Sequence, residues 1–154
     1  MVDVSNKPET SRRAVAAGAV RISKEAARLV RADAIAKGDV LGTARLAGIA
    51  AAKRVPDLVP LCHPLRLDRI DVDVVLARGG TVEIRAEVAA RERTGVEMEA
   101  IAAVLVAALT VYDMVKAVDR AATIEDVRLL EKSGGARGDW SRPRAGARRA
   151  RKRP

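Results

Sequence analysis

The chain of 154 residues has no phenylalanine, one tyrosine and one tryptophan. Proteins that hold single-stranded nucleic acid stack its bases on aromatic side chains, so this scarcity argues against a base-stacking module. There is one cysteine, Cys62, which rules out an intrachain disulfide, and no basic-apolar-small leader opens the sequence. A reducing cytoplasm is the expected compartment. One histidine beside that cysteine makes no closed ligand set, so no metal and no cofactor are expected, and help from Mg²⁺ finds no support in the residues. Neither GxxxxGK(S/T) nor GxGxxG occurs, so a nucleotide would have to be held by side chains rather than by a phosphate loop. The longest apolar run, Ala100 to Val111, is short for a bilayer and stops at Glu99 and Asp113, which predicts no membrane span.

What the chain does have is positive charge, with a formal net charge of +9. Seven of the 29 cations lie between Ser141 and Pro154, where there is no acid, so the remainder carries 22 cations against 20 acids. The basicity is thus mostly a tail, and the near-neutral body weakens a nucleic-acid reading further. With 49% hydrophobic residues, one compact domain is expected over residues 1–139. Residues 1–12 read as an extended arm around Pro8, and residues 140–154 as a basic, disordered tail.

Between these ends, Ala14 to Ile22 reads as a strand that Gly18 interrupts. Ser23 can cap a helix from Lys24 to about Ala36, and Asp39 a second one with Leu41, Ala44, Leu46, Ala47 and Ile49 toward the core. Pro56, Pro60 and Pro64 forbid regular helix around His63, which leaves an extended loop. Alternation of Ile70, Val72 and Val74 with Arg69, Asp71 and Asp73, then Gly79-Gly80, then Val82, Ile84, Ala86 and Val88, spells a hairpin. Glu97 to about Ala122 reads as a helix apolar nearly all round, so it needs burial on more than one side, by another subunit or a second layer. A last strand passes through Ile124, Val127 and Leu129. The sum is an α+β fold with helices on one face of an antiparallel sheet.

Asp113 and Lys116 stand one helical turn apart. Taken alone, such a pair is a surface salt bridge; lining a pocket, the carboxylate holds the lysine charged while burial pushes it the other way, and the two can exchange protons. His63 could serve as acid, base or phosphate donor, whereas Cys62 is most simply a small buried hydrophobe. Arg12, Lys37, Lys53, Lys116 and Lys132 lie in five separate segments. Gathered in one cleft, they would hold a polyphosphate.

Those residues fall within longer motifs. Met1-Val-Asp-Val-Ser5 with Thr10 and Arg12, Lys37-Gly-Asp-Val40, Ala51-Ala-Lys53, Leu61-Cys-His-Pro-Leu65, Thr94-Gly-Val-Glu-Met-Glu99, Leu109-Thr-Val-Tyr-Asp-Met114 with Lys116, and Lys132-Ser-Gly-Gly135 resemble, in order and spacing, the MoaC family of molybdenum cofactor biosynthesis. The resemblance implies a ferredoxin-like fold assembled as a hexamer, a trimer of dimers, with sites between subunits. It implies a phosphorus-oxygen lyase, cyclic pyranopterin monophosphate synthase, which rearranges a cyclic dihydroguanosine triphosphate and releases pyrophosphate. Carried over by position, Asp113, Lys116 and Lys37 would do the catalytic work, and Arg12, Lys53, Cys62, His63, Glu97, Met98 and Lys132 would bind substrate. The sequence departs from the family after the glycine pair, where Ala136-Arg137-Gly138 replaces a cation followed by Ser-Gly. Arg137 supplies the displaced cation, or the loop closes differently.

One geometric point needs no family. Glu97 and Asp113, sixteen residues apart on one helix, are separated by about 24 Å of axis, so a single small substrate touches both only if they come from different chains. The rival class is a non-enzymatic oligomeric module that binds nucleotide or nucleic acid, with steeply salt-dependent binding and no turnover.

Overall fold

The computed structural model describes residues 1–143; the arginine-rich segment 144–154, read above as part of a disordered tail, lies outside the described residues. Alternating small and branched residues build strand β1 (Thr10–Arg21), and two helices follow, α1 (Lys24–Arg31) and α2 (Val40–Ala52). A single turn, α3 (Val55–Leu58), leads to β2 (Arg69–Leu76) and β3 (Thr81–Glu92), then α4 (Glu97–Val115), β4 (Thr123–Ser133) and the short β5 (Trp140–Ser141). The sheet order is β2-β3-β1-β4-β5, with every neighbouring pair antiparallel. Without β5 this is the β-α-β-β-α-β order of a ferredoxin-like fold, as expected.

The core is built from small side chains. Gly18 on β1 faces α4 so closely that a Cβ there would lie 2.8 Å from Val104 Cγ1, and one on Gly48 of α2 would lie 2.8 Å from the Ala103 carbonyl. These contacts draw the two helices and the sheet into one layer pair, with Ala14, Ala16, Ala86, Ala100, Ala103 and Ala107 fully buried. The glycine that interrupts the strand signal is therefore the place where the helix approaches. The Gly48 contact and the reach of Lys37 to Asp113 set α2 antiparallel to α4.

Several boundaries differ from expectation. The first helix ends at Arg31 rather than Ala36, because Asp33 turns left-handed at φ 52°. The amides of Asp33 and Ala34 then donate to Val30 and Leu29, the two crossed bonds of a Schellman stop. Helix α4 ends at Val115 rather than near Ala122: Asp119, 9% exposed, accepts the amide of Ser23 at 2.6 Å and that of Ala121 at 3.1 Å, pinning the next turn to the start of α1. Leu46, assigned above to the core, is 68% exposed. The proline-rich stretch holds one helical turn, with Pro56 in its first positions, where its missing N–H costs nothing. The arm is shorter than expected because Thr10 to Arg12 already pair with β3. At the other end, Trp140 and Ser141 pair with Lys132 and Glu131 and extend the sheet past residue 139.

Helix α4, 19 residues of high mean hydropathy, is long and apolar enough to match a membrane span by length and composition. Its ten buried residues lie within the fold, and by that packing it is the core helix.

Candidate active site

The expected site residues gather into two groups at opposite ends of α4. At the C-terminal end Asp113 receives two ammonium groups. Lys116, one turn on, donates to Oδ1 at 2.6 Å, and Lys37, from the turn before α2, donates to Oδ2 and at 3.1 Å to the Asp113 backbone carbonyl. The lysines hold the Asp113 carboxyl down at about 2, Lys116 acting more strongly than Lys37, while Asp113 raises the Lys116 ammonium above its usual value. All three side chains are about half exposed. In the single chain the couple is thus a charged ion triad rather than a pair poised to exchange protons near neutrality, and only removal of water would bring the two pKa values together.

At the N-terminal end lies a hollow with two compartments. The larger, about 550 Å³, is mostly apolar, lined by Val2, Val4, Leu61, Cys62, Leu65, Met98, Ile101 and Leu129, with His63, Glu97 and Glu99 at its polar edge. The smaller, about 270 Å³, adjoins it through Lys7, Thr94, Gly95 and Glu97 and adds Arg12, Arg93, Lys132 and Arg137. Arg12, on β1, is only 9% exposed; its Nε and Nη2 donate to the carbonyls of Glu92 and Arg93 at 3.1 and 3.2 Å. These bonds turn Nη1 toward the loop after β4, where a Cβ on Gly135 would lie 1.8 Å from it and one on Gly134 2.0 Å from the Ser11 carbonyl. With φ of +87° and +83°, only glycines let the backbone seat there. Lys132 on β4 reaches Glu97 at 3.3 Å. His63 places Nε2 2.7 Å from the Val2 carbonyl, and since a carbonyl only accepts, that nitrogen carries the proton.

Residues that sequence reading passed over complete the hollow. Glu99 is 3% exposed, and its Oε2 meets no hydrogen-bond donor among the described residues. Burial and then the charge of Glu97 raise its pKa. Burial, and then the Glu99 carboxylate, push the Cys62 thiol up, so it remains a thiol and no nucleophile is prepared there. The spacing of Glu97 and Glu99 in one helical turn was visible; that the second turns inward was not. Lys7 and Arg93 looked like scattered surface cations, whereas Arg137, named above as a replacement for the displaced cation, does line the smaller compartment. Lys53 is exposed at the C-cap of α2 and lines neither compartment. No three His, Cys, Asp or Glu side chains group as metal ligands among the described residues.

An apolar chamber beside a cationic one suits a ligand with a heterocycle at one end and phosphates at the other. Comparison with known proteins points the same way. The chain is 57% identical over 152 residues to cyclic pyranopterin monophosphate synthase of Thermomicrobium roseum, covering 98% of this chain and 92% of the relative. It is 57% identical over 142 residues to the protein of that name from Streptomyces avermitilis, covering 92% and 83%. It is 54% identical over 142 residues to cyclic pyranopterin monophosphate synthase 2 of Mycobacterium tuberculosis, covering 92% and 84%. The model of the MoaC family matches residues 1–135, which include all the residues of both groups except Arg137, and on these grounds the chain belongs to the MoaC family.

Proposed function

We propose that this chain is a cyclic pyranopterin monophosphate synthase, a lyase that converts the cyclic dihydroguanosine triphosphate named above into cyclic pyranopterin monophosphate and pyrophosphate. The observation that carries the reading is the two-chamber hollow, cationic at one end and apolar at the other, in a chain so similar along its length to relatives of that name. A triphosphate that ends as a cyclic monophosphate keeps its α-phosphorus and loses the outer two as pyrophosphate. Arg12 and Lys132, which line the cationic compartment, would meet those two phosphates and stabilise the negative charge that grows on the leaving group. His63, with its proton on Nε2, would donate to a phosphate oxygen once the Val2 carbonyl withdraws. Glu97, Met98, Cys62 and Leu65 would border the ring. Lys53, on the outer end of α2, would act only at the rim. We assign this chemistry to side chains alone, without a resident metal.

Opening and reclosing the purine ring requires proton transfer, for which Asp113, Lys116 and Lys37 are the remaining candidates. They stand about 24 Å of helix away from Glu97, so one substrate meets both groups only if a second copy brings its Asp113 end to the first copy's hollow. The outer face of the helical layer supports assembly: Leu46, Leu105 and Leu109 are 68%, 46% and 57% exposed, an apolar stripe that no element among the described residues covers. Water excluded at such a junction would lift the Asp113 carboxyl and lower the Lys116 ammonium toward values useful for catalysis. We read the assembly as a homo-oligomer, a trimer of dimers, working in the cytoplasm.

The test supplies the cyclic triphosphate to the purified protein and follows pyrophosphate and pterin together. Stoichiometric appearance of both supports the reading. Hydrolysis of GTP itself would replace it with a hydrolase of ordinary nucleotides, and salt-dependent RNA binding without turnover with the binding module.

A further inference from the structure

We propose that Arg137, carried on the loop between β4 and β5, is an additional phosphate-binding residue of the cationic chamber, and that Asp139 is the positioning residue that holds the loop in place. The proposal rests on the functional reading above and deepens it. Among the described residues that line the chamber, Lys7, Arg12, Arg93, Lys132 and Arg137 meet one carboxylate, Glu97, with Arg93 also paired to Glu9 outside it at 3.7 Å. Glu97 is engaged by Lys132, and Arg12 is tied to two carbonyls, so Arg12 is fixed in direction while Arg137 is exposed at the mouth. A long cation at the mouth of a chamber with excess positive charge is suited to close on the outermost phosphate of a bound chain.

The loop is clasped from its far side. The Asp139 Oδ1 accepts the Gly134 amide at 3.1 Å, and the Gly138 amide donates to the Gly135 carbonyl at 3.0 Å, which folds residues 134–139 into a closed turn. Beyond it, Arg142 donates its amide to the Leu130 carbonyl at 2.7 Å and its Nε to the Leu129 carbonyl at 2.6 Å, with its guanidinium 5.7 Å above the Trp140 ring. The two glycines thereby lie against Arg12, and the turn places the exposed Arg137 on the lining of the chamber. Without the Asp139 bond, Arg137 would be tethered but unaimed.

Steady-state kinetics with the cyclic triphosphate and calorimetric binding of inorganic tripolyphosphate test both parts. Arg137→Ala is expected to raise KM and the tripolyphosphate Kd about tenfold with kcat within about twofold, the worth of one charge-assisted contact, and Arg137→Lys to restore most of it. Asp139→Ala is expected to shift KM in the same direction and to add nothing when Arg137 is already alanine. A KM and Kd within about twofold of wild type in Arg137→Ala overturn the phosphate role, and additive losses in the double variant overturn the positioning role. Should Asp139→Ala not fold, Asp139→Asn, which keeps the acceptor oxygen, is expected to retain the wild-type KM, and a KM raised as in Arg137→Ala sinks the positioning role. Tripolyphosphate binding reads Arg137 even if the wild type fails to turn over the triphosphate, so the two proposals fail separately.

Discussion

The two ends of α4 hold charged groups in opposite ways. At the C-terminal end Lys37 and Lys116 pair with Asp113 half exposed to solvent, and the charges of Asp113 and Lys116 are reinforced. At the N-terminal end Glu99 is buried with one oxygen that meets no donor among the described residues, and Arg12 is locked onto backbone carbonyls inside the fold. At one end Arg12 and Glu99 are thus already buried within a single chain. The other is an assembled set of groups without the dry surroundings that would make them reactive. The difference teaches that binding geometry is a property of the chain, whereas proton chemistry, on the reading proposed, is a property of the assembly.

Substitution at the open end should break the comparison most severely. Lys116→Ala is expected to lower kcat by about a thousandfold or more, as loss of a general acid or base does, while tripolyphosphate binding at the other end stays unchanged. Pyrophosphate release and calorimetry on the same preparation check this; a parallel loss of binding would mean that the ends are not separate. Next in size, Leu109→Asp on the exposed stripe is expected to give folded monomers by light scattering and about a hundredfold less activity, with a lower Tm because the stabilisation from subunit contacts is lost. Dissociation without loss of activity would remove the need for a second chain. Mixing Glu97→Gln and Asp113→Asn chains in equal amounts should restore roughly a quarter of wild-type activity, the share of sites with one intact group from each copy. Hybrids that stay inactive despite confirmed exchange would place both groups in one chain's site.

The smallest effect concerns Glu99. Its folded pKa lies above the unfolded value, so between the two the native state binds the extra proton and stability falls as pH rises through that window. Glu99→Gln should therefore flatten the decline and raise Tm at neutral pH on the order of 2–4 °C. Calorimetric melts across pH 4 to 8 on both proteins read it directly. An unchanged slope would show that water or a neighbour already satisfies the carboxylate.

Much of this was legible before any coordinates. The β2–β3 hairpin, the α2 and α4 starts, and the helix-on-sheet layering follow from period-two and period-3.6 patterns that local sterics enforce. The ends of α1 and α4 were not, because they are fixed by a left-handed Asp33 and by Asp119 bonding to Ser23, a contact between residues 96 apart. Leu46 was misplaced because helical periodicity gives a face but not which neighbour covers it. Ten candidate site residues were named from motifs, and Arg137 as a replacement cation; Glu99, Lys7 and Arg93 were missed, since an acid in a helix's first turn or a lone cation in a loop is ordinary until the fold shows what it faces.

By itself, then, the sequence determined the residue inventory, the strands and helices, the family, and the axial distance that separates Glu97 from Asp113, all of which depend on bonds and sterics within a few residues. Only the tertiary structure decided which side chains lose their water: that Arg12 is held while Arg137 is exposed at the mouth, that Glu99 is buried and Asp113 is not. Desolvation depends on what arrives from distant parts of the chain, and it is desolvation that sets charge state.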